Sequence, residues 1–128
     1  MSDMAEHDFI EGRELALAAA RFADDKQAED VIVLDLTGIS SIADFFVLCT
    51  GSSSPHLKAI YREVGERLAA DHGVVTRGRD GHPESQWLVL DYVDVIVHVL
   101  HREQRENYAL EDLWSDADQF RLEPQPAG

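Results

Sequence analysis

Apolar residues recur along this chain at two different periods, and the switches between them divide it into elements. From Phe9 to Asp24 they fall at Leu15, Ala18, Ala19 and Phe22. That spacing predicts a helix, and the alanine-rich centre favours one. Glu11 and Glu14 lie in its early turns, where the helix dipole favours acids. Val31 to Leu36 (VIVLDL) is nearly continuous in β-branched residues and leucine, which predicts a strand buried on both faces. Thr37 and Gly38 end it. Asp44 to Thr50 (DFFVLCT) predicts a second strand, stopped by Gly51.

After GSSSP, Leu57, Ile60, Tyr61, Val64 and Leu68 return at helical spacing. Ser54 and Pro55 suit an N-cap followed by N1, and Gly73 suits the position after the last turn. Val74 to Arg77 reads as a short third strand. Gly78 to Ser85 is polar and rich in turn formers, so it reads as a loop. Gln86 to Tyr92 and Asp94 to Leu100 predict two strands joined by a very tight antiparallel turn at Val93. Glu103 to Trp114 predicts a third helix, with Tyr108, Leu110 or Leu113, and Trp114 available to one face. The pattern implies an α/β fold: a single mixed β-sheet of about five strands with three helices packed against it. Residues 1–8 and 117–128 read as disordered polar ends around one domain at 9–116.

Composition changes this picture little. The 128 residues are one domain's worth, and 45% hydrophobic content fits a soluble globular protein. No apolar run approaches the roughly 20 residues of a membrane span, so no membrane partner is expected. The N-terminus is acidic and lacks the apolar segment of a signal peptide. Cys49 is the only cysteine, so no intramolecular disulfide is available and a reducing cytoplasm is the expected setting.

Charge excludes more. With 25 acids against 11 bases, the net charge is -14. Phosphate binding needs a positive footprint, so nucleic acid is not expected as the main contact. A basic protein partner would be steered inward by such a field.

Several residues could carry chemistry. Small residues in GSSSP could cradle phosphate at a helix start, but no Gly-Lys-Ser/Thr follows, and a capped helix start explains them. A Gly-Ser pair opening a helix also suits a nucleotidyltransferase, which needs an Asp-x-Asp pair downstream to hold two metal ions. Here Asp91 and Asp94 lie about forty residues on, spaced so that they do not share a strand face. They remain the basis of an alternative reading, a metal-dependent nucleotidyltransferase. His98 and His101 are too few for a metal site, which needs three or four converging ligands. His98 is instead expected to be half-buried and bonded to a carboxylate or backbone group. Cys49, late in an apolar strand, reads as a buried structural thiol. Trp87, Tyr92, Tyr108 and Trp114 gather in the last third of the chain. Trp and Tyr dominate protein interfaces when they reach a surface, and Trp87 and Tyr108 are the two least easily absorbed into a core.

Three segments then carry a resemblance: DFFVLCTGSSSPHLKAI (Asp44 to Ile60), WLVLDYVDVIVHVL (Trp87 to Leu100) and NYALEDLW (Asn107 to Trp114). In this order and spacing, over about residues 10 to 116, the chain resembles the ribosomal silencing factor family, also called RsfS or Iojap. Two positions depart from the family pattern. Val93 stands where the family usually has glycine between the paired aspartates, and valine strains at positive φ, so the turn is expected either to avoid positive φ or to be rebuilt. Asn107 stands where the family often has an aromatic.

The resemblance implies a nucleotidyltransferase-like sheet without the catalytic acids, and no enzyme activity or cofactor. It implies binding to the large ribosomal subunit through ribosomal protein 14, which sterically blocks joining of the small and large subunits and represses translation when nutrients are scarce. It also implies a role in large-subunit biogenesis and a homodimer when free. The expected partner-binding residues are Trp87, Asp91, Asp94, His98, Tyr108, Leu110 and Glu111.

Overall fold

A computed structural model describes residues 10–82, 86–108 and 117–121. The elements follow in the order α1 (Gly12–Asp25), β1 (Glu29–Asp35), β2 (Phe45–Gly51), α2 (Ser54–His72), β3 (Gly78–His82), β4 (Trp87–Asp91), β5 (Val95–His101), α3 (Arg102–Tyr108) and β6 (Asp118–Arg121). The expected α/β fold is present, a mixed sheet with three helices. Among the described residues the sheet has six strands in the order β3-β4-β5-β2-β1-β6.

The apolar runs lie at the centre. All seven residues of β2 are buried, and β2 pairs in parallel with β5 from Phe45↔Val95 to Gly51↔His101. Parallel neighbours need a crossover, and the chain between them supplies α2 and the β3–β4 hairpin. Every other pairing is antiparallel: β1 with β2, β1 with β6, β3 with β4, and β4 with β5.

Strand alternation sorts side chains onto two faces. One face carries Val33, Val47, Cys49, Leu88, Leu90, Val97 and Val99 and is covered by α1 and α2, whose Leu15, Ala19, Leu57, Ile60 and Val64 join the same cluster. The other carries Ile32, Leu34, Phe46, Leu48 and Leu100, with Trp87 and Ile96 partly buried against it. Near this second face α3 is tied down by Arg105, buried, whose Nη1 donates to Thr50 Oγ1 at 2.8 Å.

Three expectations need correction. Val74 to Arg77 is not a strand; the third strand is Gly78–His82 (GRDGH), inside the stretch read as a polar loop. Its pairing with β4 from Gly78↔Asp91 to His82↔Trp87 supplies what its composition lacks. Asp118–Arg121, inside the expected tail, is strand β6 on the open edge of β1. Both are edge strands, where ladder hydrogen bonds rather than an apolar pattern hold the chain. The N-cap of α2 is Ser53, whose side chain accepts from His56 N, and Pro55 follows in the first turn, one residue off the sequence reading. Gly73 closes the helix in the left-handed conformation, as its position suggests. The third helix reads Arg102–Tyr108; the rest of the predicted segment, with Leu110, Glu111, Leu113 and Trp114, lies outside the described residues.

Gly51 shows how tightly β2 meets α2. A Cβ there would come within 2.8 Å of Leu57 Cδ2 and 3.3 Å of Leu57 N, and Leu57 is fully buried. Gly51→Ala is therefore expected to destabilise the fold by about 1–3 kcal/mol through overpacking. Urea unfolding checks this; an unchanged midpoint would show that Leu57 can yield.

Candidate docking face and its supporting turn

The open part of the second face is built by β4 and β5. On β4 burial alternates, with Leu88 and Leu90 buried under the helices and Trp87, Val89 and Asp91 half-buried on the other side. Opposite them on β5 stand Leu100, His98 and Ile96. Trp87, Val89, Asp91, Ile96 and His98 thus form one strip on the face opposite α1 and α2.

Trp87 and His98 are diagonal cross-strand neighbours. Trp87 Nε1 donates to His98 Nδ1 at 3.1 Å. That contact places the neutral imidazole proton on Nε2, because Nδ1 must supply the lone pair. The edge of the Phe46 ring meets the imidazole with centroids 4.6 Å apart. His98 is 9% exposed, and its Nε2 finds no hydrogen-bond partner among the described residues. The expected carboxylate or backbone partner is thus replaced by an indole. Burial pushes its pKa down from 6.5 to about 4.

The two aspartates sit at the end of this strip and serve different structures. Asp91 Oδ2 accepts from Arg77 Nη2 at 2.7 Å, and its Oδ1 accepts from Val93 N at 2.8 Å. Burial opposes the charged form of Asp91, but the Arg77 hydrogen bond, the Val93 N–H and the Arg77 charge outweigh it and hold the pKa below the ordinary carboxylate value. Asp94 Oδ2 accepts from Gly12 N at 2.8 Å, across 82 residues of sequence. It supplies the cap that the N-cap residue of α1, Glu11, does not provide with its own side chain. Asp94 O also accepts from Asp44 N and Phe45 N, at 2.9 and 3.0 Å. The two carboxylates therefore do not converge on a common point, and among the described residues no group of three or more His, Cys, Asp or Glu is placed to hold a metal ion.

Val93, between them, has φ +80°. For a β-branched residue that is a genuine outlier. The surrounding bonds impose it: Tyr92 N donates to Val95 O, Asp94 N to Tyr92 O, and Val93 N to Asp91. The turn keeps a shape suited to glycine while carrying valine, which corrects the expectation that it would avoid positive φ or be rebuilt.

The other candidates resolve simply. Cys49 is fully buried, and burial pushes its thiol up to about 12, so it is structural. At GSSSP the turn and the first turn of α2 bond to each other. Ser52 N donates to His56 Nδ1 at 3.0 Å, His56 N to Ser53 Oγ at 3.2 Å, and Leu57 N to Ser53 O at 2.9 Å. His56 Nε2 in turn donates to Lys26 O at 2.8 Å, latching this loop to the end of α1. Tyr108 is the last residue of α3; Leu110 and Glu111 lie outside the described residues. Sequence reasoning missed Ile96 and Val89 as members of the strip. Strict alternation from Trp87 and His98 could have found both.

The architecture defines a mixed α/β domain with helices α1 and α2 on one sheet face and a half-open aromatic strip on the other. Comparison with known proteins sharpens that class. Residues 10–127 match the family described as ribosomal silencing factor during starvation. The ribosomal silencing factor of Bacillus subtilis is 43% identical over 99 residues, covering 77% of this chain and 83% of that one. Its counterpart in Halalkalibacterium halodurans is 40% identical over 114 residues, covering 89% and 97%. A crystal structure of a Chromobacterium violaceum protein superposes with a TM-score of 0.78 at 29% identity, covering 93% of this chain and 94% of that one. The chain belongs to the ribosomal silencing factor family.

Two predictions follow from the strip and its turn. Val93→Gly should relieve the left-handed strain by more than glycine's extra unfolded-state freedom costs, a net gain of about 1 kcal/mol. Chemical denaturation reads it, and a loss of stability would mean the valine side chain contributes packing beyond its exposed position. For His98, the folded pKa is depressed, so the unfolded state takes up its proton first. Its contribution to stability is full above pH 6.5 and declines as pH falls toward about 4. Nuclear magnetic resonance titration should find a neutral imidazole with the proton on Nε2 at pH 5.5; an ordinary midpoint near 6.5 would contradict the buried geometry.

Proposed function

We propose that this protein represses translation by binding the large ribosomal subunit through ribosomal protein 14 and occupying the space where the small subunit would join. The observation that carries this reading is the half-buried strip of Trp87, Val89, Asp91 and Ile96 on the sheet face away from α1 and α2, in a chain of net charge -14. An aromatic anchor with polar neighbours is the usual core of a protein interface. The acidic surface suits a basic ribosomal protein and repels RNA phosphate.

In this reading Trp87 is the anchor, and His98 holds its indole from beneath. Asp91 and Asp94 act mainly through shape: one fixes the turn and Arg77, the other seats α1. Tyr108, Leu110 and Glu111 complete the contact from the end of α3 and the segment after it. The mechanism is steric and needs no bond-making step and no cofactor. The free protein is a homodimer, the setting is the cytoplasm, and the same contact serves large-subunit biogenesis.

Sedimentation through sucrose gradients tests this. Added protein should travel with large subunits and reduce the joined-ribosome peak. Trp87→Ala and Tyr108→Ala, shown folded by circular dichroism, should each weaken binding to isolated large subunits by about 2 kcal/mol or more, roughly thirtyfold. Absence of the wild-type protein from large subunits would sink the proposal; wild-type binding by both variants would sink the anchors.

A further inference from the structure

Among the described residues, the exposed large apolar side chains are Ile39 (47%), Ile42 (64%), Val75 (73%) and Val93 (54%). All four lie at one end of the sheet. Ile39 and Ile42 belong to the loop that leaves β1 after Asp35 and enters β2 at Phe45. Val93 is in the β4–β5 turn, and that turn touches the loop directly, since Asp94 O accepts from both Asp44 N and Phe45 N. Val75 lies three residues before Gly78, which pairs with Asp91 at the same end. Single exposed apolar residues scattered over a surface need no explanation; a group gathered at one end of the sheet does.

The isoleucine loop is ordered rather than loose. Leu36 N donates to Asp44 O at 2.7 Å, Ile39 N and Ser40 N donate to Leu36 O, and Ile42 N donates to Ser40 Oγ at 3.1 Å. Its apolar side chains are therefore held outward at a defined place. Val93 is held outward as well, in a backbone conformation that disfavours valine. Acids flank this end: Glu11, Asp35, Asp44 and Asp118. Of the nearby bases, Arg77 is bound to Asp91, and the charge of Arg13, after the Thr37 hydrogen bonds, favours the charged form of Asp35. Glu11, Asp44 and Asp118 are the rim acids without an ion pair among the described residues.

The end is also continuous with the strip already described. Asp91 and Ile96 are the last β4–β5 pair before the turn, and Val93 follows in the turn itself, exposed. We propose that the ribosome-binding surface turns this corner, with Ile39, Ile42 and Val93 seating on a basic protein surface of the large subunit. This inference rests on the ribosome-binding reading above. The acid rim argues for a basic protein occupant over RNA, and against a second copy of this chain, which would bring the same acids to face these.

The test measures binding of the full chain to purified bacterial large subunits, comparing wild type with an Ile39→Ser/Ile42→Ser double variant and with Val93→Thr. Val93→Thr keeps the side chain's shape and branching while making it polar. Circular dichroism melts confirm that each variant folds, and sedimentation velocity follows self-association. The expected result is binding weakened roughly tenfold or more for the double variant, and by a smaller factor for Val93→Thr, with self-association unchanged. Wild-type binding accompanied by unimpaired binding of both variants overturns the extended surface and leaves the Trp87 face standing. A change confined to self-association assigns this end to a second copy and overturns the proposal. Failure of the wild-type protein to bind removes the ribosomal reading and this extension with it.

Discussion

The fold depends on the parallel pairing of β2 with β5. It runs unbroken from Phe45↔Val95 to Gly51↔His101, and β2 is buried along its whole length. A strand buried on both faces has no solvent to satisfy its backbone, so its ladder must be complete. The pairing begins at Asp94. The carbonyl there receives the N–H groups of Asp44 and Phe45, and the carboxylate receives that of Gly12. One residue thus sets where the ladder starts and where α1 begins.

From that start the rest of the sheet grows outward by antiparallel pairing. β4 folds back on β5, and β3 on β4; β1 pairs with β2, and β6 with β1. Helices α1 and α2 cover one face. Alternation on β4 then leaves Trp87, Val89 and Asp91 half-open on the other. A surface able to meet a partner is thus a geometric consequence of covering one face of β4 with helices.

The polar residues that drew notice in the sequence are largely structural. Asp91 and Asp94 make the hairpin turn rigid, and His98 supports an indole. The rigidity extends to Val93, whose backbone is held where glycine would rest more easily.

Much of this was legible in the sequence. The runs VIVLDL and DFFVLCT name β1 and β2 because a fully buried strand leaves a continuous apolar signature. The Ser-Pro start and Gly73 bound α2 because capping chemistry is local. Trp87 stood out as an aromatic hard to absorb into a core and His98 as a polar residue in an apolar strand, but neither the bond between them nor the strip they share was legible. Strand β3 (GRDGH) and strand β6 (DQFR) were not legible, since an edge strand borrows its order from a neighbour's hydrogen bonds. Nor were the separate duties of Asp91 and Asp94, or the left-handed turn at Val93. Local pattern determined the helices, the central strands and the family. Only the tertiary structure decided which distant backbone groups each polar side chain would bind, because those partners are brought within hydrogen-bond reach by the pairing of β2 with β5 and by nothing in the local sequence.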